Sequence, residues 1–124
     1  MAGANAKSRS PEAELPLTAA TFQILLSLVD GERHGYAIMR EVAERSEGTV
    51  RLGPGTLYGS LKRLLDGGLV EEGPDRADPQ LDDERRRYYR ITKFGVSVAR
   101  AEARRMAAMV RVAREKKLLA PEPA

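Results

Sequence analysis

The chain has 124 residues, 21 basic and 18 acidic side chains, and 42% hydrophobic residues, which suits one domain with a modest core. With no cysteine and a single histidine, disulfides, thiolate metal sites, cysteine nucleophiles and a multi-histidine metal centre within one chain are excluded. No run approaches the roughly 18 apolar residues of a membrane span, and residues 1–16 lack the apolar stretch of a secretory leader, so a cytoplasmic protein off the membrane is expected.

In chain order, residues 1–16 are rich in Ala, Ser and Pro without periodicity and predict a flexible tail. Thr18 to Val29 predicts a first helix, capped by Thr18 and stopped by Asp30-Gly31. Its apolar residues, Phe22, Leu25 and Leu26 among them, nearly encircle it, so it is expected to need cover from a second copy. His34 to Ser46 predicts a second helix, with Tyr36, Met39 and Val42 at helical spacing, and His34 at its start is expected to serve as a cap or lie on the surface rather than to catalyse or sense. Thr49 to Gly53 is a connector.

Pro54 to Asp66 predicts a third helix, with Pro54 at its first position and Gly67-Gly68 at its end. At about 100° per residue, Leu57, Leu61, Leu64, Leu65 and Tyr58 form one apolar arc. Opposite it lie Thr56, Gly59 and Arg63, flanked by Ser60 and Lys62. Leu69 to Glu72 and Arg87 to Ile91 alternate as two strands, joined by a long polar hairpin tip. Thr92 to Leu119 predicts one long helix. Its Ala99, Ala103, Met106, Val110 and Ala113 step by four and three, the spacing of a pairing seam between two copies.

The expected fold is mainly α with a two-stranded wing, a winged helix-turn-helix followed by a long C-terminal helix. The predicted boundaries are a tail at 1–16, a DNA-binding domain at 17–91, a dimerisation helix at 92–119 and a frayed end at 120–124. The function follows from the third helix. The major groove of duplex DNA admits one helix, which must be held from behind by apolar side chains and present small or donor-bearing ones in front. Thr and Ser hydroxyls can bond phosphates or base edges, Arg can fork onto guanine, and Gly59 lets the helix sit deep. Charge alone does not lead there. Leu17 to Val70 carries six basic and six acidic residues, whereas Thr92 to Leu119 carries eight basic and two acidic.

The strings HGYAIMREV, GPGTLYGSLKRLLDGGLVEE and RRRYYRITKFG resemble the PadR family of transcriptional regulators, over most of the chain from Leu17 onward. The resemblance implies a homodimeric winged-helix regulator of operator DNA, usually a repressor, often released by a small-molecule effector. It implies the shorter branch, in which a single C-terminal helix dimerises. It places Tyr36 at the start of the second helix near phosphates, and Pro54, Thr56, Tyr58, Ser60, Lys62 and Arg63 on the recognition helix. Arg85, Arg86 and Arg87 fall on the basic part of the wing. The tip departs from that pattern, since it carries Asp75, Asp78, Asp82, Asp83 and Glu84. The three arginines are then expected to grip phosphate while the acids point away or pair with them.

Two alternatives accompany this reading: a winged-helix protein-interaction module, suggested by the acidic tip, and a small-molecule sensor at the dimer interface. Tyr58 is open between a phosphate contact and a half-buried prop. No cofactor or metal is expected, and nothing in the chain carries the pattern of an enzyme: Gly53-Pro54-Gly55 is a weak phosphate signal and no nucleophile–base pairing is recognisable.

Overall fold

Each helix boundary has a local cause. A computed structural model describes residues 9–73, 76–77 and 85–123. Helix α1 (Ala19–Val29) begins where the Thr18 hydroxyl accepts the Thr21 N–H. Strand β1 (Arg33–His34) follows, then α2 (Gly35–Arg45), whose first turn is capped by His34: its Nδ1 accepts the Ala37 N–H at 3.1 Å. Helix α2 ends at Arg45 with Ser46 as its C-cap, and Glu47 beyond it takes the left-handed conformation (φ 53°) while the Gly48 N–H returns to the Ala43 carbonyl at 2.8 Å. The connector is not merely a spacer. The Ser46 hydroxyl accepts the Val50 N–H and donates to the Val50 carbonyl, and Leu52 drops into the core.

Helix α3 (Pro54–Asp66) has Pro54 in its first turn. It stops at Gly68 (φ 78°), with the Leu69 N–H bonded to the Leu64 carbonyl at 2.9 Å and the Gly68 N–H to the Leu65 carbonyl at 3.1 Å, the paired bonds that close a helix through a left-handed residue. Strands β2 (Val70–Glu72), β3 (Arg76–Ala77), β4 (Arg85–Arg86) and β5 (Tyr88–Ile91) form the wing. The wing expected as two strands is a three-stranded antiparallel sheet in the order β1-β5-β2, with β3 and β4 paired separately farther along the hairpin. His34 lies opposite Tyr88, and Val70 opposite Ile91. The third strand escaped sequence reading because two residues cannot display an alternation.

Helix α4 (Lys93–Glu115) is capped by the Thr92 hydroxyl, which accepts the Gly95 N–H and donates to the Gly68 carbonyl at 2.6 Å. Gly95 presses against the preceding turn so closely that a Cβ there would collide with the Leu69 carbonyl oxygen. The helix stops at Glu115 rather than Leu119, since Lys117 takes a left-handed conformation (φ 67°). The core gathers Ile24, Leu25 and Leu28 of α1, Ile38 and Val42 of α2, Leu57, Leu61 and Leu64 of α3, Tyr89 of β5 and Val98 of α4. Burying each such aliphatic side chain contributes about 1.5–3 kcal/mol.

Two expectations change here. Residues 9–16, expected within a flexible tail, form a single-turn 3-10 helix at Pro11–Glu14, capped by Ser10 and packed on α4. Leu25 and Ala99, expected at a dimer face, are buried within the chain itself. They sit on the sides of α1 and α4 that meet the other helices, so they have no surface left to offer a partner. Phe22 and Leu26 remain half-buried, and Ala103, Met106 and Val110 are exposed, with Ala113 partly so. Among the described residues no helix is long and apolar enough to cross a membrane.

Candidate nucleic-acid interface

Four leucine and serine positions turn α3 inward: Leu57, Ser60, Leu61 and Leu64 are all buried. On a helical projection they span about 100°. That arc is rotated by roughly 50° from the leucine-and-tyrosine arc expected from the sequence. Ser60 is the casualty of the rotation. It is 2% exposed, and its hydroxyl accepts a bond from Arg63 Nη2 at 3.3 Å. The contact to DNA expected of Ser60 is therefore corrected: a small side chain was read as a groove-facing one, whereas it lets α3 lie close to its neighbours and anchors an arginine from behind.

The remaining candidates on α3 do face outward. Pro54, Thr56, Lys62 and Arg63 are exposed, Gly59 is partly so, and Tyr58 is 46% exposed. Of the two roles left open for Tyr58, the structure shows the half-buried prop. Its ring props the start of α2, where a Cβ on Gly35 would collide with its hydroxyl, and the rest of it stays open to solvent. Tyr36, equally exposed at 46%, stands one residue farther along α2. The His34 ring stacks against Tyr36 with centroids 6.5 Å apart, and the Arg40 guanidinium lies 5.7 Å over the Tyr36 ring. Arg40 was missed by the sequence reading. Its signal was available, because it stands one helical turn after Tyr36 and therefore on the same face.

The electrostatics follow from the helix end. Gly53 is the N-cap of α3 and supplies no side-chain bond. The first-turn N–H groups of Gly55 and Thr56 thus meet solvent, at the positive end of the helix dipole. Two exposed residues with no bulk, Gly53 and Gly55, stand in front of them; a Cβ added at either would meet nothing within 4 Å. A helix start of this kind suits an anion such as a phosphate. Lys62 pairs with Asp66 at 3.2 Å with both side chains largely exposed, an i,i+4 contact worth little and readily exchanged for a phosphate.

In the described part of the wing, arginines pair with acids. Arg87 Nη1 pairs with Glu72 at 3.3 Å, and Arg90 pairs with Glu71 and Glu32 at 3.0 and 3.1 Å. Those two carboxylates raise the Arg90 guanidinium above its usual value, chiefly through the Glu71 hydrogen bond. Arg87, expected to grip phosphate, thus leans on an acid of the neighbouring strand. Arg85 and Arg86 are placed by backbone alone in β4, opposite Ala77 and Arg76, and their side chains lie outside the described atoms. Asp75, Asp78, Asp82, Asp83 and Glu84 lie outside the described residues.

Comparison with known proteins identifies the arrangement. The family model described as "Transcriptional regulator PadR-like family" matches residues 24–101, from the middle of α1 to the first half of α4. A PadR family transcription regulator from Clostridium difficile is 27% identical with a TM-score of 0.65, over 77% of this chain and 95% of that one. Halobacterium salinarum RosR is 28% identical with a TM-score of 0.54, over 86% and 99%. A 37.1 kDa protein in a Streptomyces fradiae transposon is 36% identical over 88 residues; the match takes in 71% of this chain but only 23% of that protein. A protein from Lysinibacillus sphaericus, 31% identical over 72 residues, is spanned to 63% of its length. With the winged fold, the outward face of α3 and a family match over most of the domain in agreement, the chain belongs to the PadR-like family of transcriptional regulators.

Proposed function

We propose that the chain acts in the cytoplasm as a homodimeric repressor that reads a pseudo-palindromic operator and leaves it when a small-molecule effector binds. The observation that carries this reading is the outward face of α3. It holds an uncapped helix start, a hydroxyl at Thr56, a clearance at Gly59 and two cations at Lys62 and Arg63. The exposed Tyr58 of α3 and Tyr36 of α2 extend that face towards α2. Hydroxyls, amides and guanidinium are the groups that position a protein on phosphates and read guanine.

Pairing is supported by α4. Ala103, Met106, Val110 and Ala113 fall within an arc of about 80°. Met106 and Val110 are 42% and 38% exposed, and Met109 beside them is 56% exposed. Apolar area of this kind on one face of a long helix favours burial against a like helix, with Phe22 and Leu26 of α1 alongside. Small seam residues let the two backbones approach closely, and the flexible methionines suit the walls of an effector site. A two-fold dimer would present its two α3 helices roughly 34 Å apart, one turn of DNA.

The test is a gel shift with DNA from upstream of the chain's own gene against random duplex of equal length, repeated across salt concentrations. The upstream DNA should be preferred, and the affinity should fall linearly with salt on logarithmic axes. Arg63→Ala should weaken specific binding by about 1–3 kcal/mol with an unchanged melting temperature. Equal binding to both duplexes at every salt concentration would overturn the proposal.

A further inference from the structure

Residues 9–17 run between the two helices to which the proposed function assigns different jobs, and they are fastened at both ends. At the near end the Arg9 guanidinium donates to the Gly67 carbonyl at 2.6 Å, lies 4.7 Å over the Phe94 ring and pairs with Glu14 at 2.8 Å. Gly67 is the C-cap of α3, and Phe94 belongs to the first turn of α4. A cation at the carbonyl end of a helix opposes the partial negative charge there, and a charged donor makes the bond stronger than a neutral one.

At the far end the Leu17 N–H donates to Glu102 Oε2 at 3.3 Å, and Arg105 grips the same carboxylate at 2.6 and 2.9 Å. Glu102 is 2% exposed. A carboxylate so placed is tolerable only with its oxygens satisfied, so this end is held firmly to α4. Between the ends, the Pro11–Glu14 turn rests along the same helix.

Among the described contacts, Thr92 also ties the junction that follows α3 to the start of α4: its hydroxyl donates to the Gly68 carbonyl at 2.6 Å and its N–H to the Leu69 carbonyl at 3.0 Å. Both bonds leave a single residue, Thr92, and make a pivot; Arg9, a second residue from a separate segment bonded to the Gly67 carbonyl, fixes the direction. The pivot lies at the C-terminal end of α3, whereas the uncapped N-terminal end carries the anion-facing amides. Thirteen residues of helix make a lever of about 20 Å. A swing of about 10° displaces its tip by roughly 3 Å, close to one base-pair step.

We infer that residues 9–17 form a strap that sets the angle of the DNA-reading helix α3 against the dimerisation helix α4, with Arg9 as the positioning residue. The inference rests on the reading of α3 proposed above, and it adds a determinant that touches no DNA. Because each subunit would measure its α3 against its own α4, the strap sets the separation of the two half-sites that a dimer accepts.

The experiment has two readouts. The chain contains no cysteine, so spin labels through Thr56→Cys and Arg111→Cys, diluted into unlabelled full-length protein, report the α3–α4 distance within one subunit without DNA. Arg9→Ala should broaden that distribution, and Arg9→Lys, which keeps the charge but not the planar stack over Phe94, should fall between. For the second readout, the wild type selects duplexes from a random library, and these are rebuilt with altered half-site spacing. Arg9→Ala should lose about tenfold on the selected spacing, the scale of one spoiled base contact, accept shifted spacings more evenly, and keep its affinity for random duplex. Should Arg9→Ala fail to fold, Arg9→Gln and Phe94→Leu take its place. An unchanged distance distribution overturns the strap, as does a broadened one with spacing preference intact. A wild type that selects no sequence overturns the DNA reading instead, and the distance measurement still decides the strap.

Discussion

Gly35 and Gly59 do opposite things at the scale of single residues. At Gly35 a side chain would have to displace the Tyr58 ring, whose hydroxyl end fills the space. At Gly59 the fold has no objection: a Cβ would find only Arg63 Nη1, at 3.8 Å. A glycine inside a helix costs about 0.5–1 kcal/mol relative to alanine, and on the proposed DNA-reading face of α3 that cost would be offset by clearance. Gly59→Ala is therefore expected to raise the melting temperature by a few degrees while weakening specific DNA binding. Calorimetry and a gel shift on the same preparation check it; a variant both more stable and equally tight would show that the clearance is unused. Ser60, one residue on, shows the converse. Its hydroxyl is buried but not wasted, since it holds Arg63 from behind.

At the scale of elements, the order of helices and strands was legible because each carries its own punctuation. Thr18, His34, Pro54 and Gly67-Gly68 all stand at the boundaries that their chemistry predicts. The outward candidates Thr56, Lys62 and Arg63 were legible for the same reason, as a polar stripe opposite leucines. What was not legible depended on contacts between distant segments. The pairing of Arg33–His34 with β5 is visible only once the hairpin is in place. Residues 9–16 order through Arg9 on α3 and Leu17 on α4, partners 58 and 85 positions away. The rotation of α3 that buries Ser60 needed its neighbours too, because leucine spacing fixes a helical face only to within a residue.

The same limit applied to α1, whose apolar girdle suggested a partner on most sides. Its own chain claims Ile24, Leu25 and Leu28, leaving Phe22 and Leu26 partly covered. The seam that remains lies on α4. Met106→Asp should convert the proposed dimer to a monomer by light scattering, because it sets two carboxylates against apolar surface. Helical content and the melting of the body should change little, since Met106 is 42% exposed within a single chain.

For the whole molecule, the buried Glu102 couples stability to acidity. The Arg105 hydrogen bonds hold its carboxyl below the ordinary value of 4.5, outweighing the burial that would raise it. A carboxyl depressed in the folded state stabilises fully above its unfolded value and loses that contribution as pH falls through its folded one. The melting temperature should therefore drop on acidification below about pH 4.5, more steeply than in Glu102→Gln, which has no charge to lose there. A pair of thermal melts from about pH 7 to about pH 3 checks it; parallel curves would mean that the strap's far end does not depend on this charge.

Helix α4 runs past Glu102 into residues that the body leaves largely uncovered, while the core closes at Val98 and Ala99. Separation of two such chains would thus leave two folded bodies, not two unfolded ones. In the proposed dimer, pairing between folded bodies obeys mass action, so while the protein is scarce the supply of paired chains would grow with the square of its abundance. A cell could turn a modest change in copy number into a sharp change in promoter occupancy, with the overhanging helix serving as the gauge.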